Sequence, residues 1–200
     1  LRLRRNENLL EPVVRTGEDV VVNQILASTV PVFKEIKCED TVSVSHYLKL
    51  LSTPSLSERY KAAKALSFFK EKRVIEALLK IVRDEKEHIY IRLEAAASLM
   101  KQHNEEGIKF MLDCLKSEYL QNKLETIIVL GEICSDDSIK ILIDVLMDEK
   151  QHPEIRAGAA WALGEIKSED AIGALIKSFS EIEENIRIEA ARALFKIAQR

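Results

Sequence analysis

The sequence predicts an all-α solenoid, and three observations carry that prediction. Self-similar segments recur along the chain with a period of about 32 residues. Within each period, apolar residues fall at helical rather than strand spacing. Turn formers are scarce, with six Gly and four Pro in 200 residues, whereas sandwiches and barrels need many tight turns. The hydrophobic fraction of 46% and charged fraction of 32% suit a packed water-exposed array and exclude a disordered chain. A formal charge of −3 gives no bulk attraction to nucleic acid or anionic membrane.

The period is read from its clearest copies. Arg-Ala-Gly-Ala-Ala-Trp-Ala-Leu-Gly-Glu-Ile fills 156–166 and Arg-Ile-Glu-Ala-Ala-Arg-Ala-Leu-Phe-Lys-Ile fills 187–197. Shorter copies begin at Arg59 and Arg92, and a degenerate one at Lys123. The basic landmarks Arg59, Arg92, Lys123, Arg156 and Arg187 stand 33, 31, 33 and 31 residues apart. Ile75, Ile108, Ile139 and Ile172 open a second set of apolar segments in the same rhythm. In one of these, Ile139, Leu142, Val145 and Leu146 make a helical stripe. Each unit is therefore helix A, a turn and helix B.

Linkers such as Lys167–Asp170 join one unit to the next, and their acids suit the positive N-terminus of the following helix. The uneven period has a source in two similar turns, Asp84–His88 and Asp148–His152, each two residues longer than the others. The array reads as a duplicated pair of repeats. Ala95-Ala96, Ala159-Ala160 and Ala190-Ala191 let helices approach closely, as do Gly131 and Gly164. One such hairpin cannot bury its own apolar stripe, so the units must stack.

The array is expected over residues 41–200. Residues 1–18 are expected to be a linker or tail. Residues 19–40 read as an incoming helical half-repeat broken near Pro31, because Glu35–Asp40 echoes Glu165–Asp170. The rival reading is a β-hairpin, with Val13-Val14 and Val20–Val22 flanking Gly17. The chain starts at Leu1 rather than Met and ends at Arg200 within a helical pattern, which predicts a piece of a longer polypeptide.

The motif R-x-x-A-A-x-A-L-G-x-I, matched from Arg156 to Ile166, resembles HEAT repeats of the short type named after phycobilisome lyases. The resemblance covers some five repeats. It implies a right-handed superhelical solenoid of about five helix pairs, with helix B lining the concave face. The motif is specific for the fold and not for a function.

Several proteins built from such repeats are enzymes. Deoxyhypusine hydroxylase, similar in repeat type, binds iron through His-Glu pairs at the start of helix B. The matching positions are Leu93-Glu94, Leu124-Glu125, Ala157-Gly158 and Ile188-Glu189, with no histidine among them. His88 and His152 share the Asp-Glu-Lys-x-His turn and read as solvated loop residues rather than metal ligands; His46 and His103 have no nearby ligand set. No metal or cofactor is expected. Cys114, between Leu112 and Leu115, reads as an inert core residue, and Cys134 has no histidine near it in sequence. Gly-rich phosphate loops are absent, and one tryptophan without excess basic charge argues against a DNA glycosylase of this repeat type. A chromophore lyase, or a lyase-chaperone subunit acting on a partner protein, is the alternative that shares the fold motif.

The leading expectation is a protein-interaction or scaffold module, part of a larger protein. Three widely spaced cysteines without a CxxC suit the reducing cytoplasm. Positions 1, 2, 5 and 9 after each basic landmark are expected to project onto the concave face. The expected partner-binding set is Tyr60, Leu93, Leu124, Glu125, Ile128, Glu132, Trp161, Glu165, Ile188 and Arg192. Its apolar members would form a stripe with an acidic rim, to which Glu94 and Glu189 would add. Such a stripe suits an amphipathic partner segment carrying basic residues. The competing expectation is that it packs against a neighbouring helix or domain. The landmark arginines are expected to be a structural ladder, bonding turn carbonyls or acids such as Asp84, Asp148 and Glu181.

Overall fold

The computed structural model describes residues 4–5, 8–12, 27–30 and 44–199. The chain divides into two compact units, Leu1–Thr41 and Val42–Arg200.

In the first unit, strands β1 (Arg4–Arg5), β2 (Asn8–Pro12) and β3 (Ala27–Val30) form an antiparallel sheet in the order β1-β2-β3. Leu9 pairs with Val30 and Pro12 with Ala27. Two expectations are corrected here. Strand residues lie within the segment read as a tail, and Ala27–Val30, within the expected helical half-repeat, is extended. The β-branched pair Thr29-Val30 favours a strand, and Pro31 directly after it disfavours continuing either ladder or helix. The valines of the rival hairpin reading, and the remainder of 19–40, lie outside the described residues.

The second unit is all-α and holds the five expected pairs. They are α1 (Val44–Leu50) with α2 (Leu56–Ala65), α3 (Lys72–Arg83) with α4 (Ile89–Lys101), α5 (Glu105–Leu115) with α6 (Leu120–Ile133), α7 (Asp136–Met147) with α8 (Pro153–Ile166), and α9 (Ile172–Lys177) with α10 (Glu184–Ala198). The even-numbered helices, which carry the basic landmarks, pack in succession from α2 to α10. The pairs thus stack into a solenoid around one continuous core. That core includes Leu66, Leu99, Leu130 and Leu163, the same position of four successive repeats, all fully buried.

The glycines act as expected. A Cβ on Gly131 would stand 3.2 Å from the Ala162 Cβ, and one on Gly164 only 2.7 Å from the Ala193 Cα. α6 therefore lies on α8, and α8 on α10, through small residues.

The basic ladder is structural, and its first four members tie a repeat to its successor. Arg59 Nε donates to Glu87 Oε2 at 2.9 Å in the turn of the second pair. Lys123 Nζ donates to Gln151 Oε1 at 3.3 Å in the turn of the fourth. Arg156 pairs with Glu181 in the turn of the fifth, and its Nε donates to the Leu146 carbonyl at 2.8 Å. Arg92 instead donates to the Val82 carbonyl at 3.0 Å and stacks 4.8 Å from the Phe110 ring centroid. Arg187 binds the Glu181 and Ile182 carbonyls. Glu181 is a partner as expected, whereas Asp84 and Asp148 hold their own turns. Asp84 Oδ1 accepts from the Lys86 amide and Asp148 Oδ1 from the Lys150 amide, each at 3.0 Å.

The duplicated turns also explain two histidines. His88 Nδ1 accepts from the Tyr90 amide at 3.3 Å, and His152 Nδ1 from the Glu154 amide at 3.2 Å. Both are helix N-caps, satisfying an amide that has no partner inside the helix. At the other end, α4, α6 and α8 stop at left-handed residues His103, Cys134 and Lys167, each eleven positions after its basic landmark. A left-handed residue at this position commonly ends a helix, although glycine is the usual choice.

Candidate protein-binding face

The positions numbered from the basic landmarks fall into two environments. Position 1 does not project into a groove. Tyr60 Oη donates to Glu94 Oε1 at 2.8 Å, from position 1 of one repeat to position 2 of the next. In the same relation, Leu124 Cδ2 lies 3.9 Å from where a Cβ on Gly158 would stand. Position 1 therefore leans onto the following B helix and belongs to the seam between repeats. Leu93, expected on the binding surface, is 1% exposed and is corrected to core. Ala157, at the same position of α8, is buried as well. Ile188 on α10 is 39% exposed, and among the described residues no B helix follows it.

The α2–α4–α6 part of the face is closed. Every residue from Leu93 to Met100 is buried, so α4 is apolar or covered on all sides. Lys64 Nζ on α2 reaches Glu132 Oε2 on α6 at 2.8 Å, passing across α4. Beneath this bridge Glu94 is 4% exposed. Burial raises the Glu94 carboxyl above the usual carboxylate range. The Tyr60 hydroxyl and the Lys64 charge oppose that rise, Glu132 adds to it, and Lys101 opposes it. Ser98 Oγ adds a hydrogen bond to the Ala63 carbonyl at 2.7 Å, binding α4 to α2.

The α6–α8–α10 part is open. Position 5 of its three helices carries Ile128, Trp161 and Arg192, all exposed, with Ile128 at 41% and Trp161 at 38%. Leu124 and Glu125 are half-buried beside them. Small residues at the start of α8, Ala157 and Gly158, put no long side chain in front of the tryptophan.

The expected acidic rim is present in position but not in free charge. Glu165 pairs with Lys196, Glu132 with Lys64, and Glu189 with Arg192 at 2.5 Å. Glu125 Oε1 accepts from Gln121 Nε2 at 2.8 Å. Three of these acids thus have a cation within the protein, and two of those pairings are invisible to a single-helix pattern, because Lys64 and Lys196 arrive from other repeats. The face is apolar at its centre and nearly neutral at its edge.

Among the described residues no group of three or more His, Cys, Asp or Glu is placed to hold a metal. Cys114 is buried, and burial pushes its thiol up to about 11, with Arg92 and Thr126 opposing the rise. A thiol so shifted is a poor nucleophile at neutral pH. Cys134 is exposed, and its Sγ donates to the Gly131 carbonyl at 3.1 Å. Among the described residues no helix is long and apolar enough to cross a membrane.

The family comparison agrees with this geometry. The family model described as HEAT repeats matches residues 44–122 and 108–195. The chain belongs to the HEAT-repeat family. Such solenoids generally serve as protein-interaction scaffolds. Similar solved structures include the complex of CpcE and CpcF of phycocyanin lyase from Nostoc sp. PCC7120. That likeness has 21% identity, covers 86% of this chain and 71% of that one, and has a TM-score of 0.47. Human deoxyhypusine hydroxylase is similar at 13% identity, 78% and 85% coverage and a TM-score of 0.43. A designed armadillo repeat protein in complex with the peptide (KR)4 is similar at 19% identity, 77% and 81% coverage and a TM-score of 0.44. No curated protein matches the sequence.

Proposed function

We propose that this HEAT-repeat array docks a partner polypeptide on the open α6–α8–α10 part of its helix-B face, as a scaffold module of a larger cytoplasmic protein. The observation that carries the proposal is the exposure of Trp161 and Ile128 at the same position of neighbouring repeats. Tryptophan buries a large area with few rotamers to freeze, which is why it recurs as an interface anchor. The favoured partner segment is amphipathic, with an apolar side for Trp161, Ile128 and Leu124. Its basic residues would meet Glu125 directly and exchange with Lys196 at Glu165. Exposed ion pairs contribute about 0–1 kcal/mol, so that exchange is inexpensive. Ile188 and Arg192 would border the site on α10, and Tyr60, tied to Glu94, would lie outside its contact area.

The test uses the only tryptophan of the chain. A partner captured with the intact protein is titrated while Trp161 emission is followed, and a blue shift on saturation is expected. Replacing Ile128 and Trp161 together by Ala should weaken binding by at least about 2 kcal/mol, measured calorimetrically, with little change in melting. Unchanged affinity combined with a large loss of stability would assign the pair to packing and end the proposal.

A further inference from the structure

Among the described residues the layer of A helices is interrupted once. α1 packs on α3, α3 on α5 and α7 on α9, but α5 and α7 barely meet. A cleft of about 250 Å³ opens between them. Leu112 and Leu115 of α5 and Ile141 and Val145 of α7 line its apolar part. Asp144 and Asp148, four residues apart at the end of α7, stand at its rim. Pockets for drug-sized ligands span about 300–1,000 Å³. The cleft is thus sized for one long side chain rather than for a cofactor or a helix.

The charge at this rim is unbalanced. Among the described residues no cation forms an ion pair with Asp144 or Asp148, neither Lys140 one turn before nor Lys150 in the turn after. Asp148 Oδ1 accepts from the Lys150 amide. The other polar lining groups are engaged elsewhere, Lys116 with Asp113 at 3.3 Å and Gln151 with Lys123. The last turn of α7 holds no basic residue. Both carboxylates therefore stand at the negative end of the helix dipole, where a cation is favoured. The duplicate of this turn, 64 residues earlier, is built the other way. There α3 ends with Lys80 and Arg83, at the positions of Asp144 and Met147.

We infer that the cleft receives an arginine side chain of a partner polypeptide. Its aliphatic stem lies along Leu112, Ile141 and Val145 while its guanidinium meets Asp144 and Asp148. That division of apolar body and charged head is how arginine covers apolar surface. Its planar fork of five donors serves two carboxylates one helical turn apart better than an ammonium does. The guest supplies from outside the cation that α3 supplies from its own chain. Leu112 at 40% and Met147 at 38% exposure favour apolar residues on either side of the arginine. The cleft lies among A helices and Trp161 and Ile128 on B helices, so this inference does not rest on the docking proposal.

The test titrates the methyl-labelled protein with the end-blocked peptide Ala-Leu-Arg-Leu-Ala, followed by NMR. Saturable shifts of the Leu112, Ile141 and Val145 methyl signals are expected, with those of Ile128 and Ile188 unmoved. The same peptide with citrulline for arginine keeps the shape and loses the charge, and should bind at least about tenfold more weakly. The lysine peptide should fall between the two. Asp144→Lys copies the end of α3. It should abolish the shifts and raise the melting temperature, because the cation then comes from within. The Ile128/Trp161 double-Ala variant should bind the peptide as wild type does. Three results would each overturn the inference: no saturable shift up to about 10 mM peptide, equal binding of the citrulline peptide, or unchanged affinity in an Asp144→Lys variant that circular dichroism shows to be folded.

Discussion

The α2–α4–α6 and α6–α8–α10 parts of the helix-B face are built from one repeat, yet the first is closed and the second open. The difference arises at positions 1 and 2. In the first part Tyr60, Leu93 and Glu94 are long enough to span the seam, and Lys64 and Glu132 join above α4. In the second, Ala157 and Gly158 put no long side chain at the start of α8, and Trp161 stands exposed. Two side-chain sizes therefore convert an interior wall into an open surface without changing the backbone plan.

The sharpest way to break this comparison is truncation at one site in each part. Leu93→Ala should cost about 2–5 kcal/mol, as expected for a fully buried leucine whose surroundings cannot collapse. Ile128→Ala should change stability by about 0.5 kcal/mol, the range of exposed positions. Urea unfolding of both variants checks this. Similar losses at the two sites would mean that the open part is covered in solution.

The glycines give a second, smaller contrast. A Cβ on Gly107, where α5 meets α4, would stand 2.6 Å from the Ala96 carbonyl oxygen and 2.9 Å from the Met100 amide nitrogen. Both are backbone atoms and cannot swing aside. Gly107→Ala should therefore cost about 1–3 kcal/mol through overpacking. A Cβ on Gly158 would meet side-chain atoms at ordinary distances of 3.5 and 3.9 Å. Gly158→Ala should gain up to about 1 kcal/mol from helix propensity. Thermal melts of the two variants should move in opposite directions.

Most of the fold was legible because its signal repeats. The landmark basics and the leucine seven positions after each recur five times, so a degenerate copy at Lys123 could be placed by its neighbours. The candidate site was less legible for two physical reasons. Helical spacing says which residues share a face of one helix, but not whether the next helix covers that face, so Leu93 reads as part of the binding face although it is buried. It also cannot pair charges across repeats, so the bridges from Lys64 and Lys196 to the acidic rim were missed. The period-64 echo of Asp84–His88 in Asp148–His152 did carry a usable signal, since Asp and His at fixed offsets mark a turn followed by a helix N-cap. Residues 1–40 carry a single echo of the array, Glu35–Asp40, and that echo pointed to a helix where Ala27–Val30 is a strand.

The smallest expected effect concerns the charge beneath the closed part. Burial raises the Glu94 carboxyl above its unfolded value of 4.5, despite the Tyr60 hydrogen bond and the Lys64 charge. The folded protein therefore holds this proton more tightly than the unfolded chain does. In the window between 4.5 and the raised folded value, folding takes up a proton, so stability contributed by the protonated form is lost as pH rises through that window. Glu94→Gln keeps an amide oxygen for the Tyr60 hydroxyl to donate to and removes the ionisation. The variant should melt higher than wild type at pH 7, by less than the loss at Gly107→Ala. The gap should shrink as pH falls and vanish below 4.5, where both side chains are neutral. Ile128→Gln, in the open part, should show a pH-independent offset instead. A gap at Glu94 that stays constant from pH 4 to 7 would show that the carboxylate is solvated, and that the Lys64–Glu132 bridge does not close the face over α4.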